Sequence, residues 1–217
     1  EQKLGHPDHV YVGDIDPSRE GLEVYFGMET GNPQNGMCLV DGKTGKLLWG
    51  HDKRTYHIHS SGMASDIDPN EPGTELWSGE ENYPEERFLR NAKGKVLDKP
   101  AKFPVKDLAP RSVWWTGALQ RSLILDSKPV AYPSLEPVVD TPFEGSISLI
   151  ADLYGDWREE VVTSLNGEIR IYSTVFPAQD RRTMLLHDPN YRATVIEGTM
   201  GYRQIPLPSL DLKKTAR

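Results

Sequence analysis

Gly13-Asp14-Ile15-Asp16-Pro17-Ser18-Arg19-Glu20-Gly21-Leu22-Glu23-Val24 recurs downstream as Ser65-Asp66-Ile67-Asp68-Pro69-Asn70-Glu71-Pro72-Gly73-Thr74-Glu75-Leu76, matching in Asp-Ile-Asp-Pro, in the glycine and in the glutamate. A shorter copy follows as Ala151-Asp152-Leu153-Tyr154-Gly155-Asp156-Trp157-Arg158-Glu159-Glu160-Val161-Val162. The first two copies lie about 50 residues apart, and the longer second interval leaves room for one unit that has lost the motif. Repeats of that length, each leading into an apolar run, are spaced like propeller blades.

The segments between the repeats read as hairpins. Met37–Val40 turns through Asp41-Gly42-Lys43-Thr44-Gly45 into Lys46-Leu47-Leu48-Trp49, and Arg87–Arg90 turns through Asn91–Gly94 into Lys95–Leu97. Val113–Trp115 is expected to turn through Thr116-Gly117 into Ala118-Leu119, and Val161–Thr163 through Asn166-Gly167 into Ile169–Tyr172. With 19 glycines and 17 prolines scattered along 217 residues, sustained helical periodicity is hard to find. The expected fold is therefore all-β, a β-propeller domain or partial propeller over residues 1–217 with about four blades. Open blades would expose strand edges, so missing N-terminal blades or another chain is expected to complete the ring.

A formal charge of -7 argues against nucleic acid and anionic membrane as partners, because both need a basic face. No run is long and apolar enough to read as a membrane span. The single cysteine, Cys38, excludes an internal disulfide and lies in an apolar stretch that reads as core.

Each repeat crowds hard oxygen donors into a short loop, which suits calcium. The expected ligands are Asp14, Asp16, Ser18 and Glu23 in the loop near 14–23, and Asp66, Asp68, Asn70 and Glu75 near 66–75. Asp152, the Tyr154 carbonyl, Asp156 and Glu160 follow near 152–160. A purely structural reading, in which Asp-x-Asp-Pro forms Asx-turns, competes with this one. Against it, carboxylates on one tight loop repel one another unless a cation lies among them. Zinc is disfavoured for want of cysteine and of paired histidines near the loops.

Gly155-Asp156-Trp157-Arg158-Glu159-Glu160, His187-Asp188-Pro189-Asn190-Tyr191-Arg192, Gly5-His6…Asp8, the stretch Val12–Val24 and Asp66-Ile67-Asp68-Pro69 together resemble the rhamnogalacturonan lyases of polysaccharide lyase family 11. The resemblance implies part of an eight-bladed, calcium-binding propeller, secreted or periplasmic, that cleaves an acidic polysaccharide by β-elimination. It also implies that this chain is the C-terminal half. Where that family carries an Asn-Gly-Thr-Lys segment associated with substrate, this chain has Glu144-Gly145-Ser146-Ile147.

Elimination at a uronate needs a cation to neutralise the carboxylate, a base for the C5 proton and an acid for the departing oxygen. Lys53-Arg54-Thr55-Tyr56-His57-Ile58-His59 offers all three types. His57 and His59 are candidates for base and partner, and Arg54 or Lys53 for carboxylate clamp. His187-Asp188 reads instead as a structural corner, with Asp188 in a turn and Arg192 paired to Glu159 or Glu160. A non-catalytic calcium propeller that binds carbohydrate, or serves as an adhesion scaffold, is the competing expectation.

Overall fold

The computed structural model describes residues 3–58, 62–98, 103, 108–200 and 204–214. It divides into two compact units: Glu1–Ala64 with Glu71–Pro110, and Ser65–Asn70 with Arg111–Arg217. Four antiparallel sheets account for the strands, as the all-β reading expects.

The first unit opens with β1 (Pro7–Gly13), β2 (Glu23–Met28), β3 (Met37–Asp41) and β4 (Leu47–Gly50), paired in that order. Its second sheet orders β5 (Met63–Ser65), β6 (Glu75–Gly79), β7 (Arg87–Arg90) and β8 (Val96–Asp98), with Ser65 at the end of β5 assigned to the second unit. The β3–β4 and β7–β8 hairpins are those expected from their turn residues. Tyr11, Tyr25, Leu39, Trp77 and Leu89 are buried, and complete burial of a side chain of this size contributes about 2–3 kcal/mol. His9 crosses from Gly27 in the β1–β2 register, and a Cβ on Gly27 would lie 2.0 Å from the His9 ring, so only glycine fits there. Cys38 is buried as expected, and burial pushes its thiol up to about 12, which removes it as a nucleophile.

In the second unit, β9 (Arg111–Val113), β10 (Ser122–Leu125) and β11 (Lys128–Val130) form one sheet. The other contains β12 (Ser146–Ala151), β13 (Glu160–Leu165) and β14 (Glu168–Tyr172). β13 and β14 turn through Asn166 and Gly167, both at positive φ, as the Asn-Gly pair predicts. The hairpin expected at Thr116-Gly117 does not form. Trp114 leaves the strand because its N–H donates to the Glu159 carboxylate and its carbonyl accepts from the Glu159 N–H. β9 pairs with β10 instead, and the next turn is made by Asp126 and Ser127, at φ 48° and 60° without any glycine.

Among the described residues one α-helix interrupts the β architecture: α1 (Pro189–Thr199). It starts where a corner was expected, because Asp188 accepts the Tyr191 N–H as N-cap and Pro189 supplies a helical φ. Arg192 does not pair with Glu159 or Glu160; it donates to the Leu186 carbonyl at 3.2 Å. Glu159 is taken by Arg121 at 2.6 Å, with both side chains fully buried.

Candidate active site

The first unit brings four loop segments together around Glu29. The Glu29 N–H donates to the His6 carbonyl, which fixes the entry to β1 against the exit from β2. Asn32 and Thr55 exchange backbone hydrogen bonds, and Ile58 donates to the Met28 carbonyl, so the segment 55–58 is held along residues 28–32. On its other side, Glu80 accepts the N–H groups of Tyr56 and His57 at 2.6 and 2.8 Å, and the Glu81 N–H donates to the His57 carbonyl. His57 is thereby fixed at the backbone before its side chain makes any contact.

The Glu29 carboxylate divides between two histidines. Its Oε2 lies 3.0 Å from His6 Nδ1 and its Oε1 lies 3.7 Å from His57 Nε2. Glu81 faces the other nitrogen of His57 at 3.5 Å. His6, Asp8 and Glu29 can each turn a ligand atom toward one point, with those atoms within 4.8 Å of one another. An imidazole and two carboxylates form a reasonable donor set for a divalent cation, with one or more positions left for water or substrate.

Of the residues singled out in sequence, His57 enters this constellation. Lys53 and Arg54 are exposed and make no hydrogen bond or ion pair among the described residues. His59 lies outside the described residues. His6, Asp8, Glu29 and Glu81 were not assigned chemistry from sequence. The one local signal was Gly5-His6…Asp8, since Glu29 and Glu81 join it only through chain pairing.

The three acidic loops differ in how far their carboxylates are already committed. In the first, Glu23 Oε2 accepts the N–H groups of Ile15 and Asp16, and Asp16 Oδ1 accepts both the N–H and the hydroxyl of Ser18. Glu23 Oε1 is buried without a hydrogen bond, 3.4 Å from Arg19 Nε. Burial first, then repulsion from Asp14 and Asp16, raises the Glu23 pKa. Buried carboxylates that repel one another, with an oxygen to spare, fit a divalent ion.

In the second loop, the Lys213 ammonium sits 3.1 and 2.8 Å from the two oxygens of Asp66. Burial nonetheless pushes the Asp66 carboxyl up to about 6. Asp68 accepts from the Asn70 N–H and side-chain amide, and Glu75 belongs to the first unit rather than the second. A metal at Asp66 would have to displace Lys213.

In the third loop, Asp152 accepts the N–H groups of Gly155, Asp156, Trp157 and Leu185, while Glu160 accepts those of Leu153 and Tyr154. Burial raises both pKa values. Asp156 pairs with Arg158, and the Tyr154 side chain is exposed. This loop meets its own charge with backbone dipoles, so an ion there would have to share donors already engaged.

Residues 1–216 match the family model described as rhamnogalacturonan lyase family 11, C-terminal domain. The chain belongs to that family. It is 34% identical to rhamnogalacturonan endolyase YesW of Bacillus subtilis (strain 168), over 96% of this chain and 34% of that protein. It is also 34% identical to rhamnogalacturonan exolyase YesX of the same organism, over 96% of this chain and 37% of that protein. The Bacillus licheniformis rhamnogalacturonan lyase PL11 structure superposes with a TM-score of 0.80 at 32% identity, covering 99% of this chain and 37% of that one. This family 11 chain thus spans about a third of the length of those relatives, less than the half that sequence resemblance implies. At the departure Glu144-Gly145-Ser146-Ile147, Ile147 packs against the core cluster of Val113, Trp115, Phe143, Ile150 and Val161.

Proposed function

We propose that this chain carries part of the catalytic apparatus of a calcium-dependent polysaccharide lyase that acts by β-elimination on rhamnogalacturonan or a related acidic polysaccharide. The observation that carries the reading is the pairing of His6 and His57 across Glu29, with Asp8 beside them. Family membership supports the chemistry, and the four sheets are read as blades of a propeller completed by further chain. A polymeric substrate meets its enzyme outside the cytoplasm, so a secreted or periplasmic location goes with the proposal.

A divalent ion held by His6, Asp8 and Glu29 would neutralise a uronate carboxylate and make the neighbouring C5–H more acidic. His57, as neutral imidazole, takes that proton. The C4–O bond breaks, a C4–C5 double bond forms, and the departing oxygen is protonated, with His59 the candidate acid. The positive charge that develops on His57 forms beside the Glu29 and Glu81 carboxylates, which lowers its cost. Lys53 or Arg54 serves as an additional carboxylate clamp. Calcium in the loop of Asp14, Asp16 and Glu23 is read as structural.

The test is release of ultraviolet-absorbing unsaturated uronate ends from rhamnogalacturonan in the presence of calcium. His57→Ala is expected to lower the rate about 10²–10⁴-fold with the fold intact, the usual contribution of a general base. Undiminished turnover would remove His57 from the mechanism. Ile147, a half-buried apolar residue where the family resemblance implies a lysine, favours a second reading in which the chain binds glycan without cleaving it. Saturable binding with no unsaturated product would select that reading.

A further inference from the structure

Two large aromatic side chains stand in solvent beside the candidate site. Tyr56 is 60% exposed and Tyr83 is 47% exposed, and their ring centroids lie 5.9 Å apart with the planes tilted by 46°. They come from different segments, so their pairing is made by the fold. Tyr56 directly precedes His57, and Tyr83 follows Glu80 and Glu81 on the connection between β6 and β7.

Both supports are rigid. The Tyr56 N–H is held by Glu80, and Thr55 before it is paired with Asn32. The turn beneath Tyr83 is pinned by Arg87, whose guanidinium donates to the carbonyls of Glu80 and Glu81 at 3.0 and 2.7 Å. Pro84 then opens a short 3₁₀ turn, closed by the Glu86 N–H on the Tyr83 carbonyl. Exposed aromatic rings on a fixed backbone bind with little ordering cost, and a tyrosine offers an apolar face with a polar rim.

A pyranose ring has the matching character, with C–H groups on one face and hydroxyls around the edge. We infer that Tyr56 and Tyr83 form a stacking platform for a sugar ring of the polysaccharide, setting where the glycan lies relative to His57. The ligand class rests on the lyase reading above; the platform rests on the two rings. These are positioning residues, so their loss should weaken binding and raise KM while leaving kcat nearly unchanged.

The experiment measures calorimetric binding of purified rhamnogalacturonan oligosaccharides to the full-length protein, and steady-state kinetics, for the parent, Tyr56→Ala, Tyr83→Ala and the two phenylalanine variants. Each alanine variant should bind roughly 2- to 10-fold more weakly, the size of one aromatic contact, and each phenylalanine variant within about twofold of the parent. Alanine variants that bind like the parent would overturn the platform even if the parent cleaves the polymer. Phenylalanine variants as weak as alanine would also overturn it, by assigning binding to the hydroxyl. If the parent binds oligosaccharide, releases no unsaturated ends and loses affinity in the alanine variants, the platform stands and the lyase reading fails. A parent that binds no oligosaccharide sinks both.

Discussion

Arg121→Met tests whether the second unit is organised around a buried charge. Arg121 and Glu159 meet at 2.6 Å with neither side chain exposed. Glu159 also accepts the Tyr191 hydroxyl at 2.7 Å and the Trp114 N–H at 3.0 Å. The guanidinium donates to the carbonyls of Ser112 and Pro206 and lies 3.8 Å over the Trp114 ring. Removing the cation alone strands the carboxylate, which costs about 3–5 kcal/mol. In a chain of this size that corresponds to a Tm drop of roughly 6–20 °C.

The double variant Arg121→Met/Glu159→Gln removes the charge and keeps an acceptor for Trp114 and Tyr191, so it should recover about 2 kcal/mol of that loss. Burial already raises the Glu159 pKa, and losing Arg121 raises it further. For a raised carboxyl, the stabilising contribution is whole below the ordinary glutamate range and is lost as pH climbs through the folded-state value. The Arg121→Met deficit should therefore be smallest below the ordinary glutamate range and grow as pH climbs above it. Urea unfolding followed by tryptophan fluorescence reads all of this. A deficit that is independent of pH, with no recovery in the double variant, would refute the argument.

Asp66, raised to about 6 from an ordinary 3.8, favours the folded state most below about pH 4 and loses on the order of 3 kcal/mol as pH rises through about 6. Lys213→Met should deepen that loss and free the loop for calcium, so millimolar calcium should stabilise the variant by more than it stabilises the parent; thermal melts with calcium or chelator decide it. Asp188→Ala removes the acceptor of the Tyr191 N–H and of the Ser209 N–H, and should cost about 1–2 kcal/mol. Amide exchange should accelerate in the first turn of α1 and not in β12–β14, whereas uniform acceleration would mean that the cap acts globally.

What could be read from sequence was local. The β3–β4, β7–β8 and β13–β14 hairpins are written into glycines and asparagines a few residues from the strands they join. The Trp114-Trp115 segment misled because its partner is Glu159, which no hairpin rule anticipates. Helix α1 was hidden by Val195, Ile196 and Gly198, poor helix formers whose sequence gives little amphipathic pattern, although Asp188-Pro189 was a legible start signal. The candidate site divides the same way. His57 stood out within a polar cluster, but Glu29 and Glu81 are ordinary surface-type residues until strand pairing sets them on either side of its ring.

One device recurs in three settings: a single glutamate receiving two consecutive amides, as Glu23 does for Ile15 and Asp16, Glu160 for Leu153 and Tyr154, and Glu80 for Tyr56 and His57. The first two latch a loop to the strand that follows it; the third latches a segment remote in sequence. Because such a latch reads main-chain geometry alone, the side chains it secures are free to vary. The loop bearing Tyr56 and His57 could thus be rewritten, or transplanted from a relative, without dismantling its anchorage, provided Glu80 is kept.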